Sequence, residues 1–267
     1  MSTALKKRGL AGRIFGRWKV IVTLGVLCAA AIDMPELPSL LIDPAISNVL
    51  TADYAGAAAG ENLATTPGGK PAELFGMDTE PVSGGTLPEK WQRVEAEIAR
   101  DRETIAQCRV NQSCSAPAQK LIDLSLQGAG RSGRARVGLI NRAVDLAIRP
   151  VSDEKQWGVP DRWSDPFETL SSERGDCEDY AILKYTALLE AGFPKESLKI
   201  VVWKNRLPKE DHAVLAVRVD NQWLILDNVT LALVRDTDVR RAIPEFVLDG
   251  RGVRRLISNS RMQKLSS

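Results

Sequence analysis

The order of periodicities along this chain predicts an α+β fold. Apolar residues recur at helical spacing in the first half, and strand-like alternation takes over near residue 198. Between the two lies one apolar helix that opens on a cysteine. The chain has 267 residues, with 44% apolar and 26% charged content, enough for one good-sized domain plus extensions.

The start has the form of a targeting signal. Lys6, Lys7, Arg8, Arg13, Arg17 and Lys19 are cationic, Val20 to Ile32 is apolar, and Ala29-Ala30-Ala31 offers a small-x-small cleavage site. The apolar run of about 13 residues falls short of the roughly 20 that a membrane helix needs, so an uncleaved anchor is the alternative. Leu27, not a small residue, precedes Cys28, which argues against a lipoprotein signal. Residues 1–32 therefore read as a signal peptide for export to an oxidising compartment, a periplasm. Residues 33–86 are rich in Pro, Gly, Ala and Thr and read as a low-complexity linker or pro-region.

The folded part is expected over residues 87–250, with a basic tail at 251–267. A helix opens at Pro88, with Trp91, Val94, Ile98 and Ile105 on one face. A second runs from Ala116 to about Gln127, and Gly128 to Gly133 breaks it. A third runs from about Arg134 to Ile148, with Val137, Ile140, Val144 and Ile148 at helical spacing. These stripes are core. Residues 149–174 lack a period and read as a loop, one wall of a cleft, carrying Trp157 and Trp163. Three strands follow, Leu198 to Trp203, His212 to Val219 and Trp223 to Val229, and another helix or strand lies near Ala242 to Leu248. Net charge is +2 and no basic helix or aromatic-basic stripe occurs, so nothing points to nucleic acid.

The chemistry gathers at Gly175-Asp176-Cys177-Glu178-Asp179-Tyr180. An apolar run from Ala181 to Ala191 follows, and Gly192 with Pro194 stops it. A helix that starts there puts the thiol at its N-terminus, where the dipole and unpaired N–H groups favour a thiolate. The flanking carboxylates act the other way unless a cation neutralises them. Asp176 as a helix cap, with Glu178 and Asp179 serving the dipole, is the bland alternative. Cys108 and Cys114 lie in one polar stretch and are able to close a small disulfide loop after export, which leaves Cys177 as the odd thiol.

His212 is the only histidine. If Asp220-Asn221 is a two-residue hairpin turn, Val219 faces Gln222 and Asp227 faces Val214. Asp227 is then a diagonal neighbour of His212 on the same side of the sheet, within hydrogen-bonding reach. The rest of that side, Ala216 and Ile225, suits packing against a helix. Cys177, His212 and Asp227 thus form a possible triad of nucleophile, general base and orienting carboxylate.

The segment from Trp157 through Thr230 resembles the bacterial transglutaminase-like cysteine proteinase family. The residues that carry the resemblance are Asp161-Arg162-Trp163, Gly175-Asp176-Cys177-Glu178-Asp179-Tyr180-Ala181, Lys184-Tyr185, His212-Ala213-Val214-Leu215 and Leu226-Asp227-Asn228. Trp91, the Cys108/Cys114 pair and Asn141 also fit. The resemblance implies a papain-like/transglutaminase-like core and the triad Cys177, His212 and Asp227. It also implies a calcium site at Asp176 and Glu178, with Asp179 a further ligand. The family's periplasmic members clip a large surface adhesin and release biofilm cells. They are held by an inner-membrane receptor that responds to cyclic di-GMP.

The expected activity is a calcium-dependent cysteine endopeptidase, with the Cys177 N–H and a second group, Trp163 the suspect, meeting the oxyanion. A transglutaminase or amidase on the same triad is one alternative. A non-catalytic calcium-binding envelope module with an inert thiol is the other.

Overall fold

A computed structural model describes residues 73–206 and 211–257. The expected signal peptide and most of the expected linker lie outside these residues. Strand β1 is Asp78–Pro81 and helix α1 is Thr86–Asn111. Helices α2 (Ala116–Ser125) and α3 (Gly133–Ala147) follow. The region expected as a plain loop holds two short parallel strands, β2 (Arg149–Pro150) and β3 (Arg174–Gly175). It also holds two short helices, α4 (Asp153–Trp157) and α5 (Pro166–Ser172). Helix α5 starts because Asp165 caps Glu168 N–H through its side chain while Pro166 pre-sets the first turn. Helix α6 is Cys177–Glu190. Strands β4 (Leu198–Asn205), β5 (Asp211–Val219), β6 (Gln222–Leu226), β7 (Val234–Arg235), β8 (Ala242–Asp249) and β9 (Gly252–Ile257) complete the chain.

The strands form one seven-stranded antiparallel sheet in the order β1-β9-β8-β4-β5-β6-β7. The fold is α+β. The expected domain limits need correction at both ends. Strand β1 falls inside the stretch read as linker and pairs with β9, which falls inside the stretch read as a basic tail. Both sit toward one edge of the sheet. There a polar four-residue strand carries no alternation to read, and Arg254 is held by Thr79 rather than left to solvent.

Helix α6 is the centre of the molecule. It is apolar nearly all round, and every residue from Glu178 to Leu189 is buried, as such a helix must be. One core fills the space between the helices and the sheet. It includes Trp91, Val94, Leu121, Ile140, Leu183, Leu215 and Leu226. A second core, with Val201, Val214, Ala216, Trp223 and Ile225, covers the other side of the sheet. So Ala216 and Ile225 do not pack against a helix as the hairpin pattern suggested. Both sides of this sheet are covered, and apolarity alone does not say by what. Trp91 ties α1 across the domain. Its Nε1 donates to the Asp249 carbonyl at 3.1 Å, and its ring meets Tyr185 edge-on at 5.8 Å. Cys108 and Cys114 are disulfide-bonded across the α1–α2 junction.

Asp101 of α1 accepts the Phe167 N–H at 3.2 Å. Burial, then the nearby Asp165 carboxylate, push its carboxyl up to about 7. Its folded-state value exceeds the unfolded one, so the folded chain loses stability as pH rises between the two. Asp101→Asn keeps an acceptor oxygen and removes that cost. With solvent screening at this half-buried site, the expected gain is about 1 kcal/mol, or a Tm rise of about 2–4 °C, at pH 8. The gain should vanish near pH 4, which a pair of thermal melts checks.

Candidate active site

Cys177 is the first residue of α6, so its backbone N–H has no acceptor within the helix. The thiol is half-buried. It receives the backbone N–H of Ala213, the residue after His212, and donates to Glu178 Oε2 at 3.1 Å. The sulfur therefore lies against the start of β5, where His212 stands.

The hairpin register is the one its turn residues dictate. Asp220 and Asn221 both have positive φ, 49° and 60°, and Val219 pairs with Gln222. Strand β6 ends at Leu226, opposite Leu215, so Asp227 leaves the sheet beside the start of β5. His212 Nε2 and Asp227 Oδ1 are 2.9 Å apart. Val229 N–H donates to the same oxygen at 3.0 Å. Burial alone would raise the Asp227 carboxyl. The bonds from His212 and Val229, together with the Lys184 charge, outweigh it and hold the group below its ordinary value. An ionised Asp227 requires the proton on Nε2, which leaves Nδ1 as the basic nitrogen. Trp203, the cross-strand partner of His212, lies beside the imidazole, tilted by 41° with ring centroids 5.9 Å apart. The His212 side chain is 10% exposed.

The acidic residues around the thiol are close together. Ligand atoms of Asp176, Cys177 and Glu178 lie within 4.8 Å of one another. Those of Asp153, Asp176 and Asp179 do too, as do those of Asp153, Asp161 and Glu178. Asp153 and Asp161 were not picked out as ligands from the sequence. They stand in and after α4, far from the cysteine in the chain, and no local spacing marks them. Burial and mutual repulsion push Asp176 and Asp179 each up to about 8 and raise Glu178 and Asp153 as well. The same burial, then the Glu178 charge, push the Cys177 thiol far above its ordinary range.

Asp176 occupies the cap position of α6 but makes no side-chain capping bond, and its Oδ1 is buried without a partner. Asp179 receives Ser164 N–H on Oδ1 at 2.8 Å, while its Oδ2 is likewise buried and unpartnered. This is not how helix-capping acids behave. It is how carboxylates arranged for a cation behave, so the residues fit a calcium ion. Trp163 is buried. Lys90 lies 5.7 Å from its ring centroid, and its carbonyl accepts from Arg93 at 2.7 Å. Trp157 has Arg162 stacked on its ring at 4.1 Å.

No curated protein sequence matches the chain. Among solved structures, LapG of Legionella pneumophila aligns at 20% identity over 61% of this chain and 91% of its own, with a TM-score of 0.47. A calcium-bound form of the same Legionella pneumophila protein aligns at 20% identity over 64% and 99%, with a TM-score of 0.46. The profile of the bacterial transglutaminase-like cysteine proteinases matches residues 105–240, half of the chain and the part that holds Cys177, His212 and Asp227. The chain belongs to that family and is a cysteine protease.

Proposed function

We propose that this is an exported, calcium-dependent endopeptidase that uses Cys177, His212 and Asp227 as its triad. The observation that carries the proposal is the meeting of three distant segments. The lone histidine is held by Asp227 at 2.9 Å, and the thiol lies on the very next backbone N–H.

Cys177 attacks the carbonyl carbon of a peptide bond, and its proton passes to Nδ1 of His212. Asp227 accepts the Nε2 hydrogen, which fixes the tautomer and stabilises the imidazolium. The Cys177 N–H faces the developing oxyanion. Collapse breaks the C–N bond, and the leaving amine takes its proton from His212. Water, deprotonated by the same Nδ1, then cleaves the thioester and restores the thiol. Asp176, Glu178 and Asp179, with Asp153 and Asp161 beside them, would hold the calcium ion. Bound calcium supplies the positive charge that offsets the carboxylates opposing the thiolate.

The substrate is a protein of the cell envelope, with a large surface adhesin the best fit to the family resemblance, so that cleavage controls attachment and biofilm. The working compartment is the periplasm, and the Cys108–Cys114 disulfide is consistent with an oxidising one. Control by an inner-membrane cyclic di-GMP receptor rests on the resemblance alone.

The test is alkylation of Cys177 by iodoacetamide, read by peptide mass spectrometry, with and without a calcium chelator. Chelation is expected to slow labelling at least about tenfold, because the acids regain their hold on the thiol. Equally slow labelling in both conditions would mark an inert thiol and an adaptor module. A Cys177→Ala pull-down from envelope extract then identifies the substrate. Product mass separates peptide hydrolysis from transfer to an amine.

A further inference from the structure

One cation stands against the acidic group beside the thiol, and the mechanism above does not use it. Lys90 lies near the start of α1. Its ammonium pairs with Asp161 Oδ1 and donates to the Asp161 carbonyl at 3.4 Å. The same ammonium is 5.7 Å from the centre of the Trp163 ring. Ligand atoms of Asp161, Asp153 and Glu178 lie within 4.8 Å of one another. Among the described residues, no other lysine or arginine is in ion-pair contact with Asp153, Asp161, Asp176, Glu178 or Asp179. Arg162 is committed elsewhere: its guanidinium pairs with Glu168 at 2.6 Å and stacks on Trp157.

The placement is held from both sides. Trp91, the next residue, is buried and donates to the Asp249 carbonyl, which fixes this part of α1. Arg93 donates to the Trp163 carbonyl at 2.7 Å, which ties α1 to the segment that bears Asp161. Asp153 accepts the Arg162 N–H, so the same segment is pinned to the start of α4. The Lys90 backbone therefore stays beside Asp161, while its flexible stem is free to swing. The Lys90 side chain is 25% exposed and that of Asp161 is 57% exposed.

An ammonium tethered in this way competes with a dication for the same oxygens. A carboxylate shared with Lys90 offers a second cation less negative charge, and the two cations repel. The tether keeps the competitor at high effective concentration. We infer that Lys90 is a built-in competitor of calcium: its ammonium holds the Asp161 carboxylate until the ion takes it, and so sets the affinity of the site. The inference rests on the calcium reading proposed above and names the group that tunes it. Ligand charge is one of the two things that set a calcium affinity, and Lys90 subtracts one unit from it.

The test is calorimetric titration of the full chain with calcium, paired with thermal melts in calcium and in chelator. Lys90→Met keeps an unbranched stem beside Trp163 and removes the charge. It is expected to bind calcium about three- to tenfold more tightly than the wild type. Lys90→Arg keeps the charge and is expected to stay within about twofold of the wild type. In chelator Lys90→Met is expected to melt about 2–4 °C lower, because clustered carboxylates lose their cation. In excess calcium it is expected to melt at or above the wild type.

Unchanged calcium affinity in Lys90→Met overturns the inference. Weaker binding does so too, and makes Lys90 a support for Asp161 rather than a rival of the ion. A melting shift of equal size in both media also overturns it, since that marks a plain surface ion pair. Asp161→Asn supplies a second arm. In that background the gain from Lys90→Met is expected to shrink to about twofold or less. An undiminished gain overturns the assignment to Asp161. Failure of the calcium reading looks different: the wild type, Lys90→Met and Lys90→Arg then all titrate without a calcium signal, and the inference falls with it.

Discussion

His212→Ala is expected to lower kcat/KM for peptide cleavage by about 10⁴-fold, with little change in melting temperature. No other imidazole exists in the chain to take over the proton. The residue stands at the start of β5, beside the Trp203 ring and outside the main apolar core. Asp227→Asn is the more informative companion. The amide keeps the volume but offers its NH₂ toward Nε2 as readily as its oxygen, so the fixed tautomer is lost. The expected fall in kcat is about 10³- to 10⁴-fold, with KM unchanged. Because the His212 bond holds the Asp227 carboxyl below its ordinary value, the wild-type pair survives mild acid. Its contribution to stability is present above the unfolded carboxylate value and fades only as pH falls below it. Single-turnover assays on an envelope substrate check both variants. Retention of more than about a tenth of wild-type kcat by His212→Ala would remove imidazole from the mechanism.

Those residues were legible because each one is marked locally. A lone histidine opens a strand, a positive-φ turn at Asp220-Asn221 sets the register, and a cysteine follows Gly175-Asp176 at a helix start. The long helices were legible for the same reason, through the 3.6-residue spacing of Trp91, Val94, Ile98 and Ile105 and its later repeats. What escaped has no periodic signature. β1 is four mostly exposed residues and becomes a strand only because β9 is there to pair with it. Helix α5 did carry a signal, with a capping Asp165, a Pro166 first turn and Glu168 at the third position, but the Pro-rich surroundings masked it. Asp153 and Asp161 reach the acidic cluster through tertiary packing of α4 and the segment after it, which no spacing encodes. Asp145 and Lys184 read as ordinary charges on two helix faces. Only the packing of α3 against α6 shows that both are buried.

The second large effect is expected from Gly175→Ala, one methyl group added outside the triad. A Cβ at this position would fall 2.6 Å from Asp179 Cβ and 2.8 Å from its Oδ2. Real Cβ atoms do not approach so closely, and Asp179 Cβ is fixed to the first turn of α6 rather than free to swing away. Gly175 cannot retreat either. Its carbonyl accepts Val151 N–H at 3.0 Å, and it pairs with Pro150 in the small parallel ribbon. The start of α6 must therefore shift from β3, and Asp179 must give up the Ser164 N–H or its place beside Asp176 and Asp153. Overpacking of this kind costs about 1–3 kcal/mol in stability. Its larger consequence falls on the proposed cation site, since displacing a buried carboxylate by a fraction of an ångström weakens binding about 10- to 100-fold. Calorimetric titration with calcium and a thermal melt in chelator separate the two effects. Asp179→Asn is the control, because it keeps the packing and removes only the charged oxygen. It should lose calcium affinity while melting normally in chelator. If Gly175→Ala binds calcium as the wild type does, the ion is not held by Asp179 and its neighbours, and the proposal that calcium at these carboxylates favours the Cys177 thiolate falls.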